Sequence, residues 1–370
     1  MTSAALSFIL AGTTFAADEI TFWADREGRS LEQAIAEADL LVSCPHAGAA
    51  IPAELAEWLA PELTRRLQFD FTDYSTATIV RRWAEIDPRV VVVENPHPRM
   101  VRDPNRAKPD DVVATLREAV ERVAAAGQWN QVDLTGVDAI RPVTFSFFPI
   151  LRVPESPEEL ERLCTDFGEA GERGVDVYEH TRDELIDRFL TVKSAQAAEA
   201  GGSRFTTLSF HDTMNTTTTP EGAVNVVREA KDRLPAVVAL SNRGDIKGEE
   251  RTPKDRPTMG SERLRTLAAA HRDGFAVSDP KSVQLNQPYL GSQEIIQARD
   301  RFAAFHIEHP ESLLVTDAVQ AEFLREFLLG ATATAELQTP GDGWPEADPT
   351  HIDAIAQACK ASWDRYRETV

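Results

Sequence analysis

The sequence has little that would support a disulfide framework, a membrane span or an anion-binding surface. Its 370 residues include three cysteines, Cys44, Cys164 and Cys359, which are far apart and odd in number. They form neither a disulfide framework nor a cysteine-based zinc motif. No apolar run approaches the length of a membrane span. The 39 basic and 60 acidic residues give a net charge of -21, which disfavours nucleic acid and anionic membranes as partners.

The N-terminus lacks the basic segment with which an export signal begins. Residues 4–17 resemble the short apolar part of a signal peptide, but no Lys or Arg precedes them. The cysteine usage suits a reducing compartment. We therefore expect a cytoplasmic protein in which residues 1–38 form an extension packed on the main domain.

Short apolar runs alternate along the chain with segments whose apolar residues recur every three or four positions. The short runs are rich in Val, Ile, Leu and Phe and indicate buried strands. Strands are predicted at 40–44, 90–93, 206–210, 236–240, 275–278 and 303–307. Helices are predicted at 54–67, 75–86, 111–126, 157–171, 178–200, 260–273, 316–329 and 351–367.

Strands that alternate with helices are typical of a sheet covered on both faces. The sequence therefore predicts an α/β fold with a mixed, mostly parallel central sheet flanked by helices. The main domain is expected over residues 39–330. Residues 331–370 are expected to form a C-terminal loop and helix, because a segment rich in Pro and Gly precedes the last helical pattern.

Polar side chains follow most of the predicted strands directly. Ligands of open α/β sheets bind beyond the carboxyl ends of the strands, so these side chains are candidates for a shared site. They are His46, Glu94 and Asn95, His211 and Asp212, the segment 241–245 with Arg243, and Glu308.

Two histidines with a carboxylate would suit a catalytic zinc, which commonly has three protein ligands and one open position. His46 and His211 fit as ligands, and Glu308 fits as the base that moves a proton from water to a leaving amine. The spacing carries no local signature such as HExxH. The alternative is that each histidine is an ordinary hydrogen-bonded residue, which is how we interpret His97 and His180.

Four segments in a fixed order resemble the N-formylglutamate amidohydrolase family. They are Pro45-His46-Ala47-Gly48, Asp73 at the start of a helical pattern, Arg99-Met100-Val101-Arg102-Asp103-Pro104-Asn105-Arg106, and the LSFHDTM run at 208–214. Weaker similarities follow at 241–245, 285–292 and 305–314. The resemblance covers about residues 40–315, and the segment ending in Asn105-Arg106 is its most specific part.

The resemblance implies a fold and site like those of the zinc carboxypeptidases. It implies zinc bound by His46, Asp73 and His211, with Glu308 as the base. Of the three candidate carboxylates for the metal, Asp73 is preferred over Asp70 and Glu94.

The same resemblance implies that Asn105 and Arg106 bind the substrate's carboxylate, for which a guanidinium fork is suited. Arg99 is expected to stabilise the oxyanion, and Arg243 to contact the substrate or assist there. A structural ion pair between Arg99 and Asp103 is the alternative interpretation of those two residues.

The predicted function is zinc-dependent hydrolysis of an N-acyl, N-formyl-type amino acid to a carboxylate and a free amino acid. One alternative is a carboxypeptidase-like or deacylating hydrolase that acts on another N-acyl amino acid or a small peptide. Another is a metal-free binding protein on the same fold. A small-molecule substrate and a possible homo-oligomer are expected.

Overall fold

A computed structural model describes residues 5–127, 129–253 and 255–370. Its strands are β1 (Phe8–Ile9), β2 (Thr21–Trp23), β3 (Leu40–Cys44), β4 (Ile51–Pro52), β5 (Val90–Glu94), β6 (Ser203–Thr213), β7 (Thr216–Thr218), β8 (Val224–Val227), β9 (Val238–Ser241), β10 (Val283–Leu285) and β11 (Leu314–Leu324). Its α-helices are α1 (Leu31–Glu37), α2 (Arg65–Asp70), α3 (Tyr74–Ile86), α4 (Val112–Ala126), α5 (Pro157–Ala200), α6 (Ser261–Gly274), α7 (Gln293–Glu308), α8 (Arg325–Leu337) and α9 (Pro349–Thr369).

The central sheet has seven strands in the order β10-β9-β11-β6-β3-β5-β2. The four strands β11, β6, β3 and β5 run parallel to one another. At the two sides of this group, β9 pairs antiparallel with β11 and β2 pairs antiparallel with β5. The sheet is thus mixed and mostly parallel at its centre, and the predicted fold class is confirmed.

Helices cover both faces of the sheet, so the central strands are buried on both sides. One face packs on α3, α6 and α9, and the other on α1, α5 and α7. Alternate residues of one strand therefore enter different cores: Val90 and Val92 face the first layer, while Val91 and Val93 face the second. Because both faces of these strands are buried, successive residues are apolar, and the strands appear in the sequence as continuous apolar runs.

Two strand predictions and one helix prediction are wrong, and the helix predicted at 54–67 is instead a 3₁₀ helix at Ala53–Trp58 followed by a loop and the start of α2. The segment 303–307 lies inside α7, and 275–278 forms no strand. The segment 316–329 contains most of the central strand β11 before the chain turns into α8. A short strand that is buried on both faces has the same apolar content as a buried helix, so periodicity alone does not separate them.

Segments near both ends of the described chain pack on the central sheet and its helices. Residues 21–23 form β2, which adds an edge strand to the sheet, and α9 packs on α3 and α6. In the described part of the chain, no helix is both long and apolar enough to cross a membrane.

Candidate functional site

Two histidines and an aspartate converge at the carboxyl edge of the parallel strands. His46 follows β3, Asp73 immediately precedes α3, and His211 lies near the end of β6. Asp73 Oδ2 lies 3.2 Å from His46 Nδ1 and 2.9 Å from His211 Nδ1. All three residues are buried, and their potential ligand atoms lie within 4.8 Å of one another. Two imidazole nitrogens and a carboxylate oxygen are a donor set suited to zinc.

The backbone explains why Asp73, rather than another carboxylate, completes this group. The N–H of Asp73 donates to the carbonyl of His46 at 2.9 Å, which ties the start of α3 to the loop after β3. Asp70, at the end of α2, accepts from Thr218 and Arg325, and Glu94 pairs with Arg81. Neither alternative carboxylate belongs to the cluster of ligand atoms.

The outer nitrogen of His46 is held by a second carboxylate. His46 Nε2 lies 2.7 Å from Asp103 Oδ1, and Asp103 also forms a buried ion pair with Arg99. Burial and Arg99 disfavour the protonated imidazole, but Asp103 and Asp73 outweigh them and raise the pKa of His46 to about 9. The ion-pair interpretation of Arg99 and Asp103 therefore describes a real contact, and that contact lies against a candidate ligand.

Asn105 and Arg106 belong to the most specific motif segment, but their side chains make different contacts. Asn105 Nδ2 lies 3.4 Å from His211 Nε2. Arg106 is partly exposed and pairs with Asp138 at 3.0 Å. Asn105 therefore reaches the cluster, whereas Arg106 is already occupied by a carboxylate of the protein.

The structure does not bring Arg243 to this site, which corrects its prediction as a substrate-binding residue. That prediction assumed that the strand before it runs parallel to the others. Because β9 runs antiparallel to β11, its carboxyl end lies at the opposite edge of the sheet. There, Arg243 forms a bidentate ion pair with Asp255, in which Nε and Nη2 donate to the two carboxylate oxygens at 2.9 and 3.0 Å.

Glu308 also lies away from the site, which corrects its prediction as the base. It is the last residue of α7, and its side chain is exposed. The next strand, β11, begins at Leu314 and runs parallel to β6. Glu308 therefore lies near the amino end of β11, at the edge of the sheet opposite the cluster.

The glutamate that the structure places beside the cluster is Glu322, which the sequence analysis did not single out. In β11 it pairs in register with His211 of β6, so the two side chains project from the same face of the sheet. It is buried, and its two oxygens accept hydrogen bonds from Thr213 and Gln320 at 2.6 and 2.9 Å. The available signal was the period-two pattern in which Gln320 and Glu322 alternate with apolar residues.

A cavity adjoins the cluster and is lined by three arginines and three aspartates. The arginines are Arg99, Arg228 and Arg325, and the aspartates are Asp70, Asp73 and Asp212. Arg325 is bound to Asp212. The buried Nε atoms of Arg99 and Arg228, by contrast, have no hydrogen-bond partner among the described residues. The cavity therefore offers positive donors to an anionic or oxyanionic group.

The comparison with known families covers three of the four motif segments, those at 45–48, at Asp73 and at 99–106. The family model of N-formylglutamate amidohydrolase matches residues 38–167. The resemblance to the N-formylglutamate amidohydrolases is confirmed over this segment. No curated protein matches the chain. Among solved structures, N-formylglutamate amidohydrolase from Ralstonia eutropha JMP134 aligns with 18% identity and a TM-score of 0.47, over 90% of this chain and 96% of that chain.

The segment matched to the N-formylglutamate amidohydrolase model contains one part of the candidate site. His46, Asp73, Arg99 and Asp103 lie inside residues 38–167. His211, Glu322 and the cavity arginines Arg228 and Arg325 lie beyond it. The order of the strands and the packing of the loops bring those residues close to the first part of the site.

Proposed function

We propose that this chain is a zinc-dependent amidohydrolase that cleaves the amide bond of an N-acyl amino acid of the N-formyl type. The observation that carries the proposal is the convergence of His46 Nδ1 and His211 Nδ1 on one oxygen of Asp73, beside a buried glutamate in register with His211. The family match over residues 38–167 supports the same reaction class.

The residues fit a metal by their chemistry and by their outer contacts. Metal-binding histidines usually donate their second ring N–H to a carboxylate, a carbonyl or a hydroxyl-type partner, which fixes the ring. His46 has Asp103 in that position, and His211 has the hydroxyl of Ser209 at 2.9 Å. His46, Asp73 and His211 would hold the metal, which when bound lowers the pKa of water and polarises a carbonyl.

Glu322 is the proposed base in place of Glu308. Hydrogen bonds from Thr213 and Gln320 hold its carboxylate on the same side of the sheet as His211. From there it would accept a proton from the attacking water and deliver it to the leaving nitrogen of the amide.

Arginines of the cavity would bind the charged parts of the substrate. Arg99 has an unpartnered Nε within the described structure, and that group can donate to the oxygen that becomes negative during attack. Arg228 lines the same cavity, and its Nε has no hydrogen-bond partner in the described structure, so it can pair with a substrate carboxylate. We assign Arg228 this contact in place of Arg106, because Arg106 is paired with Asp138.

The test combines metal analysis with a substrate panel. Purified protein should contain about one zinc per chain and hydrolyse N-formyl amino acids in preference to bulkier N-acyl amino acids or dipeptides. His211→Ala should lose both the metal and the activity. His180→Ala, at an exposed position of α5, is the matched control and should keep both.

Three outcomes would overturn the proposal. They are a wild-type protein that binds no zinc when supplied with it, full activity in His211→Ala, and no hydrolysis of any member of the panel by metal-loaded protein. Activity only on dipeptides would favour a carboxypeptidase-like reaction at the same site.

A further inference from the structure

A second buried carboxylate lies behind His211, and the proposed reaction does not use it. Glu294 projects from α7 into the interface between α5 and the sheet, where it is 4% exposed. Its neighbours are equally buried: Ser43 and Ser209 from the sheet, and Tyr178 and Arg182 from α5. These five residues are called the Glu294 network below.

Every contact of Glu294 in this network is with a hydrogen-bond donor. Ser43 and Ser209 each donate to Oε2 at 2.8 Å. Tyr178 and Arg182 donate to Oε1 at 2.6 and 2.7 Å. Burial opposes the charge of Glu294, but Arg182, Tyr178 and Ser209 outweigh it and lower the pKa of the carboxyl. The carboxylate is therefore charged and acts only as an acceptor.

The network reaches the metal-ligand cluster through one hydroxyl. Ser209 Oγ lies 2.9 Å from His211 Nε2 and 2.8 Å from Glu294 Oε2. A serine hydroxyl has one proton to donate. A hydrogen bond to a charged carboxylate is stronger than one to a neutral ring nitrogen, so the proton is directed to Glu294. Toward His211, Ser209 can then only accept, and this requires a proton on His211 Nε2.

This arrangement determines which nitrogen of His211 keeps a free lone pair. With the proton on Nε2, the lone pair of the neutral ring lies on Nδ1, which faces Asp73 at 2.9 Å, and two such acceptors need a cation between them. As placed, the amide of Asn105 presents its Nδ2 donor to His211 Nε2 at 3.4 Å, while its Oδ1 is buried without a partner in the described structure. The opposite orientation of this amide suits the tautomer. Turning that amide over would place an acceptor, rather than a donor, against His211 Nε2.

A buried ion pair contributes little to stability compared with apolar packing, so stability alone gives no strong reason for the network. We propose that Glu294, acting through Ser209, is a positioning residue that holds His211 as the Nε2-protonated tautomer with Nδ1 directed at the metal. The inference rests on the proposed role of His211 as a metal ligand. It assigns to the Glu294 network the function that Asp103 performs directly for His46.

Two serines of the network allow a matched experiment. Both donate to the same oxygen of Glu294 at the same distance, but Ser209 alone of the two is bonded to His211. Ser209→Ala should weaken zinc affinity about 10- to 100-fold in competition with a chromophoric chelator. Ser43→Ala should change it by less than about twofold, and Ser209→Thr, which keeps the hydroxyl, should restore most of the affinity.

A second measurement needs no metal. In metal-free protein, the ring-nitrogen NMR shifts of His211 should show a proton on Nε2 in the wild type and in Ser43→Ala, whether or not Nδ1 also carries one. Ser209→Ala should lower the occupancy of that Nε2 proton. Urea unfolding of the metal-free variants records any general loss of stability, which should be similar for the two Ser→Ala variants.

The inference is overturned if Ser209→Ala binds zinc like the wild type, or if Ser43→Ala loses as much affinity as Ser209→Ala. It is also overturned if His211 of the wild type carries no proton on Nε2. Failure of the proposed function would instead appear as a wild-type protein that binds no zinc, and the tautomer measurement would still decide the positioning role.

Discussion

The candidate site has two halves that are built in different ways. The first half, His46, Asp73, Arg99 and Asp103, comes from residues 38–167, which match the N-formylglutamate amidohydrolase model. His46 lies in the loop after β3, and Arg99 and Asp103 lie in the loop after β5, while Asp73 precedes α3 and is fixed by a backbone hydrogen bond to His46. The second half, formed by His211, Glu294, Glu322 and Arg325 with their partners, depends on which strand lies beside which.

The support behind the two histidines shows the same difference. His46 contacts a carboxylate directly at Asp103, whereas His211 reaches the carboxylate of Glu294 through Ser209. Similar support is thus obtained once from two motif segments, at 45–48 and 99–106, and once from two elements of the fold, β6 and α7. The residues of the first arrangement all lie in motif segments, whereas Glu294 of the second lies in none of the four main motif segments and is found only in the assembled structure.

The largest expected effect comes from replacing Glu322, the proposed catalytic base, which belongs to the second half of the site. Glu322→Gln should retain zinc and lower kcat by about 10²- to 10⁴-fold, because an amide cannot accept the proton of water. Glu308→Gln, at the exposed end of α7, should keep wild-type kcat. Steady-state kinetics with metal quantification check this. A reversed order of the two variants would restore Glu308 as the base.

The next effect is on folding. Arg325 is buried and pairs with Asp212, whose side chain is fully buried. Arg325→Met should lower the free energy of unfolding by about 3–5 kcal/mol, because it leaves a buried carboxylate without its cation. The exposed pair of Arg82 and Asp353 provides the control, and Arg82→Met should lower the free energy of unfolding by much less than Arg325→Met in urea unfolding, because water screens the pair. Equal losses of unfolding free energy in Arg325→Met and Arg82→Met would show that the buried pair of Arg325 and Asp212 contributes no more to stability than an exposed pair.

The stability of the folded protein should depend on pH through His97, a buried histidine whose surroundings differ from those of His46. His97 has no carboxylate contact like those of His46, and burial lowers its pKa from 6.5 to about 4. The folded state therefore excludes a proton that the unfolded chain binds below about pH 6.5. Stability should fall as the pH drops from 6.5 toward 4, by roughly 3 kcal/mol at most, and should stay level for this group below that.

Urea unfolding at pH 7 and pH 4 tests this assignment. His97→Gln, which cannot titrate, should show a smaller loss between the two pH values than the wild type. His180→Gln replaces an exposed histidine and should behave like the wild type. If His97→Gln kept the full pH dependence, other groups would be responsible for it.

The smallest effect compares the two supports directly. Asp103→Asn removes the charge against His46 Nε2 but keeps an oxygen acceptor. We expect zinc affinity to fall about 10- to 100-fold, as for other partners of metal ligands. Chelator competition measures this beside Ser209→Ala. An unchanged affinity in Asp103→Asn would show that the direct support matters less than the relayed one.

Local patterns predicted part of this molecule correctly. The runs at 40–44 and 90–93 are strands, and the helical pattern at 75–86 is α3 with Asp73 before it. These features depend on residues within a few positions of one another, so apolar periodicity and strand-end chemistry were sufficient. The sequence predictions failed at Glu308 and Arg243, where the position of a side chain depends on the direction of a distant strand.

The sequence by itself determined the fold class, the segment similar to the N-formylglutamate amidohydrolases and the two histidines at strand ends. Strand burial and local motifs are encoded by neighbouring residues, which is why these could be identified. Only the tertiary structure decided that β9 runs antiparallel to β11 and that Glu322 lies in register with His211. Strand order and direction are set here by pairing between residues about 80 to 110 positions apart, and no local pattern records them.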